Sequence, residues 1–316
     1  MKLFQLVVIT ATLALSSALQ QAVADDSIKQ KAILVTGTST GIGRNIAETL
    51  AAAGYYVYAG ARKDEDLAEL DAIENVQGVR LDVTSQQDID AAVEIVRLGG
   101  KGLYGLVNNA GVAVFGGLTQ TPDSDLDFVF DVNVFGVVRV TRAFAPMIVE
   151  QKGRIITTGS TSGILSSAMV GVYSMSKHAI EAFTDSLAAE LKDTGVGVSV
   201  VEPGDYKSQI RQTAATRREE AVEKSGGVLS ERERHILASI VESGLSLEEP
   251  DEVSAAVMHA LFSDTPKRRY MVVSAAGEAE RTIRKAIEEL VQLNEGHIYS
   301  YDRDRLVEML DEALAN

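Results

Sequence analysis

Residues 31–43 read KAILVTGTSTGIG, an apolar run followed by Gly37, Gly41 and Gly43, ahead of a periodic segment carrying Ile46, Leu50 and Ala53. A short apolar run closed by glycine predicts a buried strand, and the spacing of the apolar residues after it predicts a helix. The glycines permit a tight turn and close backbone approach between the two. The amides at the start of such a helix are able to hold a pyrophosphate. The spacing is not GxGxxG and no GK[ST] follows, so the turn gains meaning only from what lies around it.

Outward from this turn, strand and helix periods alternate. YYVYAGAR (55–62) predicts a second strand whose end carries Ala61, then Arg62 and Lys63. In a dinucleotide fold that position reads the ribose. Two cations and no carboxylate there favour a ribose 2'-phosphate, although Arg62 also reads as a solvated turn residue. GVRLDV (78–83) predicts a third strand ending at Asp82, which either caps the next turn or accepts from an adenine amine. A helix pattern over Ser85–Leu98 leads to YGLVNNAG, where Asn108 and Asn109 are placed to tie strand ends together and Ala110 and Gly111 leave room for a ribose. The helix from Pro122 carries Asn133 inside the apolar run VFDVNVFGVV, so its amide needs a partner. RIITTGS and GVGVSVVEPG predict the fifth and sixth strands, and Pro203-Gly204 ends the latter at the carboxyl edge of the sheet. The pattern predicts an α/β fold, a Rossmann-like doubly wound domain with a mainly parallel sheet and helices on both faces.

Tyr173 and Lys177 stand four apart in VYSMSKHAIEAFTDSLAAEL, and Ser160 lies 13 residues before Tyr173. On a helix that spacing stacks phenol and ammonium on one face, a pattern that ordinary amphipathic helices also show. A free tyrosine is a poor base at neutral pH, whereas a neighbouring cation favours its phenolate. Hydride transfer at a carbonyl needs such a proton donor and acceptor.

Composition narrows the chemistry. The 316 residues are 46% hydrophobic and 24% charged, with a formal charge of -15, and no basic patch interleaved with aromatics appears. Nucleic acid is therefore not an expected partner. The absence of cysteine removes disulfides, thiolate catalysis and sulfur-ligated metal, and four scattered histidines offer no metal spacing. No metal site is expected.

Taken together, TGTSTGIG, NNAG, Ser160 with Tyr173 and Lys177, and the Pro203-Gly204 turn resemble the short-chain dehydrogenase/reductase family, in its conventional one-domain subgroup, over about residues 29–275. The resemblance implies Asn133, Ser160, Tyr173 and Lys177 as the catalytic set. Tyr173 would exchange the proton, Lys177 would lower its pKa and hold the nicotinamide ribose, Ser160 would hold the substrate oxygen, and Asn133 would keep a relay water. Thr36, Gly37, Ser39, Gly41, Ile42 and Gly43 would form the pyrophosphate site, with Arg62, Asp82, Asn109, Ala110 and Gly111 toward adenosine. Pro203, Gly204 and Ser208 would pass the nicotinamide, Ser208 standing where the family often has a threonine. NADP(H) is the preferred cofactor on the Arg62–Lys63 argument, with NAD(H) possible. The expected activity interconverts an apolar alcohol and its ketone or aldehyde. A non-catalytic dinucleotide-binding protein and an epimerase or isomerase are the alternatives, and a homo-oligomer through the Tyr173 helix is implied.

The remaining segments are less specific. Residues 205–249 are positioned as a substrate lid, with Tyr206 and Ile210 able to face the pocket and Val112, Phe115, Leu165 and Val170 suggesting an apolar substrate. Beyond a last strand in RRYMVVS, residues 276–316 predict a helical extension with stripes at Ile283, Ile287, Leu290 and Val291, then Leu306, Met309 and Leu310. At the other end, Lys2, the run LFQLVVITATLALSSAL and Ala22-Val23-Ala24 have the order of a secretory signal over residues 1–24. An exported or periplasmic protein starting at Asp25 is expected on that pattern, a membrane-anchored or cytoplasmic one being the alternative.

Overall fold

The computed structural model describes residues 30–315. Seven strands form one sheet: β1 (Ala32–Thr36), β2 (Tyr56–Ala61), β3 (Val76–Arg80), β4 (Gly105–Asn108), β5 (Arg154–Thr158), β6 (Gly197–Pro203) and β7 (Arg269–Val272). Their order is β3-β2-β1-β4-β5-β6-β7, and every neighbouring pair runs parallel. The chain reverses its direction of winding between β1 and β4, which opens a crevice at the carboxyl ends of those strands. Helices α1 (Gly41–Ala52), α2 (Asp64–Asp71) and α3 (Gln86–Leu98) make the first crossovers, and α4 (Asp123–Phe130) and α5 (Val137–Glu150) follow. Then come α6 (Gly171–Leu191), α7 (Ile210–Lys224), α8 (Glu231–Leu245), α9 (Asp251–Phe262), α10 (Ala276–Asn294) and α11 (Arg303–Leu314).

Alternation along each strand divides the core. Leu34, Tyr58, Leu106 and Ile155 point to the layer of α3, α5 and α6, against Ile89, Phe144 and Leu191. Ile33, Val35, Val57, Val107 and Ile156 point to the layer of α1 and α9, against Ile46, Leu50, Val257 and Leu261. Burial on both faces explains why β1 reads AILVT without polar alternation.

The sequence places the third strand's end at Asp82, but β3 stops at Arg80. Asp82 Oδ1 accepts from the Thr84 amide at 2.9 Å and from its hydroxyl at 2.7 Å. This aspartate turn supplies the backbone with partners other than a strand ladder. A second local irregularity is a π-helical turn over Asp131–Gly136, inserted between α4 and α5 and carrying Asn133. Such turns inside α-helices recur at functional sites.

Phe115 and the apolar residues Ala215, Leu229 and Leu237 join the α7–α8 region to the loop after β4. At the end of the chain, Ile283, Ile287, Leu290 and Val291 of α10 form the expected stripe but face outward, and α11 buries no residue.

Candidate active site

The glycine turn is organised around Thr36. Its Oγ1 accepts from the amides of Asn109 at 2.9 Å and Ala110 at 3.0 Å. Asn109 Nδ2 returns bonds to the carbonyls of Thr36 at 3.0 Å and Gly37 at 3.2 Å, while its Oδ1 accepts from Thr158 Oγ1 at 3.3 Å. The ends of β1, β4 and β5 are thereby locked together. Asn108 serves the same frame through Thr141 Oγ1 at 2.8 Å. Gly37 (φ 70°) and Gly41 (φ 59°) take left-handed conformations, which other residues adopt only with strain. A Cβ at Gly37 would stand 2.8 Å from Ala110 Cα, and one at Gly43 would stand 2.2 Å from the Gly37 carbonyl oxygen.

These features fit a dinucleotide. The N-cap Thr40 uses no side-chain hydrogen bond and the first turn of α1, which includes Ile42, has no acidic residue, so its amides and dipole are available to a pyrophosphate. A cavity of about 240 Å³ lies between Thr40 and Gly41 on one side and Ser208, Gln209 and Arg211 on the other. Ser39 is partly buried in the same turn. Gly111 leaves ordinary van der Waals space beside Asn133. At the end of β2, Arg62 is 3.8 Å from Asp82, with most of its side chain in solvent. Sequence reading missed Arg80, which strand register sets opposite Ala61 and whose guanidinium bonds the Arg62 carbonyl and pairs with Asp64. The signal was the strand pairing itself, and no local motif carries it.

Ser160, Tyr173 and Lys177 meet above the end of β5. Ser160 starts the 3-10 turn Thr161–Gly163, and its Oγ accepts from the Ser162 amide at 3.1 Å. Lys177 Nζ donates to the Thr158 carbonyl at 2.7 Å and lies 5.5 Å from the Tyr173 ring centre. Burial pushes the Tyr173 phenol above its ordinary pKa; hydrogen bonding with Ser160 opposes this and the Asp205 charge adds to it. Burial also brings Lys177 down to about 8, opposed by the Glu181 charge. The lysine was expected to draw the phenol downward, but desolvation is the larger influence in this pocket.

Asn133 is brought to the same place and is fully engaged. Its Oδ1 accepts from the Val112 amide at 2.8 Å, and Nδ2 donates to the Val112 carbonyl at 2.9 Å and to Ser176 Oγ at 3.0 Å. Pro203 ends β6 and the Gly204 amide donates to the Val272 carbonyl at 2.8 Å. Tyr206 does not line the pocket. It is buried among the α9-side core residues and donates to Glu252 at 2.5 Å.

One buried and one largely buried carboxyl group beneath this site escaped the sequence reading. Glu181 is one helical turn beyond Lys177, and Glu202 lies in β6; each has an Oε1 that no ordinary donor reaches. Burial, and then the Glu181 charge, push Glu202 up to about 8, which favours its protonated form beside Glu181. Arg269 holds the other side of Glu181 at 3.1 Å. A charged residue inside the apolar run VVEP was the available signal. Among the described residues, no group of three or more histidine, aspartate or glutamate side chains is arranged to hold a metal ion.

A parallel doubly wound sheet, a glycine turn at its switch point and a Ser-Tyr-Lys cluster beside it define a dinucleotide-dependent oxidoreductase. The chain matches the short chain dehydrogenase family over residues 31–219 and belongs to that family. It is 34% identical over 248 residues to the uncharacterized oxidoreductase YbbO of Escherichia coli K12, covering 78% of this chain and 86% of that one. It is 33% identical over 268 residues to the mitochondrial D-beta-hydroxybutyrate dehydrogenase of Bos taurus, covering 78% and 77%. A short chain dehydrogenase/reductase from Burkholderia phymatum in complex with NAD superposes with a TM-score of 0.72 at 25% identity, over 86% of this chain and 98% of that one. The closed form of a serine dehydrogenase complexed with NADP+ gives 0.64 at 27% identity, over 76% and 94%. The protein is an NAD(P)-dependent oxidoreductase that interconverts alcohol and carbonyl groups by hydride transfer.

These relatives overturn the expectation of an exported or periplasmic protein, since the bovine enzyme is mitochondrial by name. Residues 1–24, on which the expectation rested, lie outside the described residues. A basic residue, an apolar run and a few small side chains form a short compositional pattern. Such a pattern carries no information about where a dinucleotide-dependent fold finds its cofactor.

Proposed function

We propose that the protein reduces a small apolar ketone or aldehyde with NADPH, using Tyr173 as the general acid. The observation that carries this reading is the convergence of Ser160, Tyr173 and Lys177 at the end of β5, with the phenol held above its ordinary pKa. A phenol raised in this way is protonated at neutral pH, the form needed to donate to a developing alkoxide. The Ser160 hydroxyl orients the carbonyl oxygen, and the hydrogen bond it shares with Tyr173 sets the donor toward that atom. The nicotinamide, when bound, supplies the hydride. Lys177, anchored on the Thr158 carbonyl, would hold the nicotinamide ribose and resupply the proton to Tyr173. Asn133 acts as a positioning residue, because all the polar atoms of its side chain are engaged with Val112 and Ser176.

Preference for the 2'-phosphate rests on Arg62, with Arg80 and Lys63 at the same strand ends. Asp82 caps its own turn, which leaves it a minor role toward adenine. The apolar substrate class is supported by Val112 and Phe115 near the opening and by the apolar lid cluster behind Phe115. On this reading residues 205–249 act as the lid, and copies of the chain associate through α6, where Met175 is exposed.

The test pairs NADPH and NADH against a panel of apolar ketones and aldehydes, with Tyr173→Phe beside the unmodified protein. Tyr173→Phe should lower reduction by about 10²–10⁴-fold with dinucleotide affinity largely kept. Near-normal reduction by Tyr173→Phe, or tighter binding of NADH than NADPH by the unmodified protein, overturns the assignment concerned.

A further inference from the structure

We propose that Glu278, contributed by the C-terminal extension, is a positioning residue of the active site that ties the Ser160 turn to the turn after Pro203-Gly204. The significance for catalysis rests on the reading of Ser160 given above; the tie itself does not.

Glu278 lies in the first turn of α10, where an acidic side chain ordinarily turns to solvent and favours the helix dipole. Here it is only 8% exposed, and among the described residues it has no ion pair. Burying a carboxylate without a cation is unfavourable unless hydrogen bonds and packing compensate. Its oxygens reach in two directions. Oε1 accepts from Thr161 Oγ1 at 3.3 Å, and Oε2 accepts from the main-chain amide of Asp205 at 3.5 Å.

Between these contacts the carboxylate lies flat on Gly204, close enough that a Cβ there would be 2.3 Å from both oxygens. Thr161 is bonded directly to Ser160, and Asp205 directly to Gly204. Both hydrogen bonds are longer than the usual range, so the close packing of the carboxylate on Gly204 carries much of the tie. The anchor is itself fixed, because fully buried Thr282 donates to the Glu278 carbonyl at 2.9 Å and the Gly204 amide donates to Val272 at the end of β7. One side chain therefore connects the turns that follow β5 and β6, and the Gly204 amide links the second of them to β7. A supporting group of this kind restricts the rotamer and backbone freedom of the residue that touches substrate.

The experiment uses the full chain with Glu278→Ala and Glu278→Gln, the second retaining shape and one acceptor. Amide hydrogen exchange is followed in residues 159–165 and 203–207. Glu278→Ala should exchange about tenfold faster in both segments, with β1 and α1 unchanged, as expected of a local opening. In NADPH-dependent reduction of benzaldehyde, Glu278→Ala should lose about tenfold in kcat with the KM for NADPH nearly constant, and Glu278→Gln should recover most of it. Thr161→Val combined with Glu278→Ala should lose no more than the larger single loss, because the two share one contact. Unchanged exchange in both segments, or fully multiplicative losses in the double variant, overturns the proposal. If Ser160→Ala keeps its rate while Glu278→Ala still loosens both turns, the reading of Ser160 fails and the tie stands.

Discussion

The two ends of the crevice are built from different materials. Around Gly37–Gly43 the site is formed by main-chain geometry, with left-handed glycines, uncapped amides and the Thr36 and Asn109 side chains bonded to backbone. Around Ser160 and Tyr173 it is formed over ionisable side chains largely withdrawn from water, Lys177, Glu181 and Glu202. A dinucleotide phosphate is recognised by direction and space, which backbone supplies. Proton transfer needs groups whose protonation can be set, and burial beside other charges sets it.

The contrast is broken most strongly by adding a single methyl group on each side. Gly43→Ala places its Cβ against the Gly37 carbonyl and the Asn109 amide, neither free to move, and should cost about 1–3 kcal/mol of stability together with much of the dinucleotide affinity. Gly204→Ala meets the far end of the Glu278 side chain, which can make room only by giving up its contacts with Thr161 and Asp205, so its thermal unfolding should change less than that of Gly43→Ala while the two turns loosen. Denaturant melts and NADPH titrations of both variants decide it, and an equal loss would remove the distinction between a rigid and a yielding wall.

Arg62 sharpens the comparison on the cofactor side. With 65% of its side chain exposed, its contact with a 2'-phosphate is screened, and Arg62→Ala should weaken NADPH relative to NADH by about 1 kcal/mol, roughly fivefold. Competitive titration reads this ratio. No change would shift the phosphate assignment to Arg80 or Lys63.

The smallest expected effect lies in pH dependence on the catalytic side. Glu202 is held at about 8 by burial and by Glu181, above its value of 4.5 in the unfolded chain. Folded protein therefore keeps a proton that unfolded protein has released, and the stability this group contributes is complete below about 4.5 and is lost as pH rises through about 8. Glu202→Gln keeps a donor toward Glu181 and removes that titration. The melting temperature of the unmodified protein should fall more between pH 6 and 9, on the order of a few degrees, than that of Glu202→Gln. Parallel curves would rule out a shared proton between Glu181 and Glu202.

The glycine turn and the Tyr173–Lys177 pair were legible from sequence because their geometry is local. A left-handed glycine and a four-residue helical step impose their conformations whatever surrounds them, and the alternation of strand and helix periods carried the fold in the same way. Asp82 was legible as a turn cap or an adenine contact, and its bonds to Thr84 show the first of these. Arg80, Tyr206, Glu202 and Glu278 belong to the tertiary structure. Arg80 gained its place from strand register, and Tyr206 exchanged an expected pocket position for the core and a bond to Glu252. Glu278 meets Thr161 across 117 residues of chain. In sequence, a glutamate in a first helical turn is the same whether water or a catalytic loop lies beside it. Burial and partnership at long range arise only when the strand ends are brought together, and with them the protonation of the site.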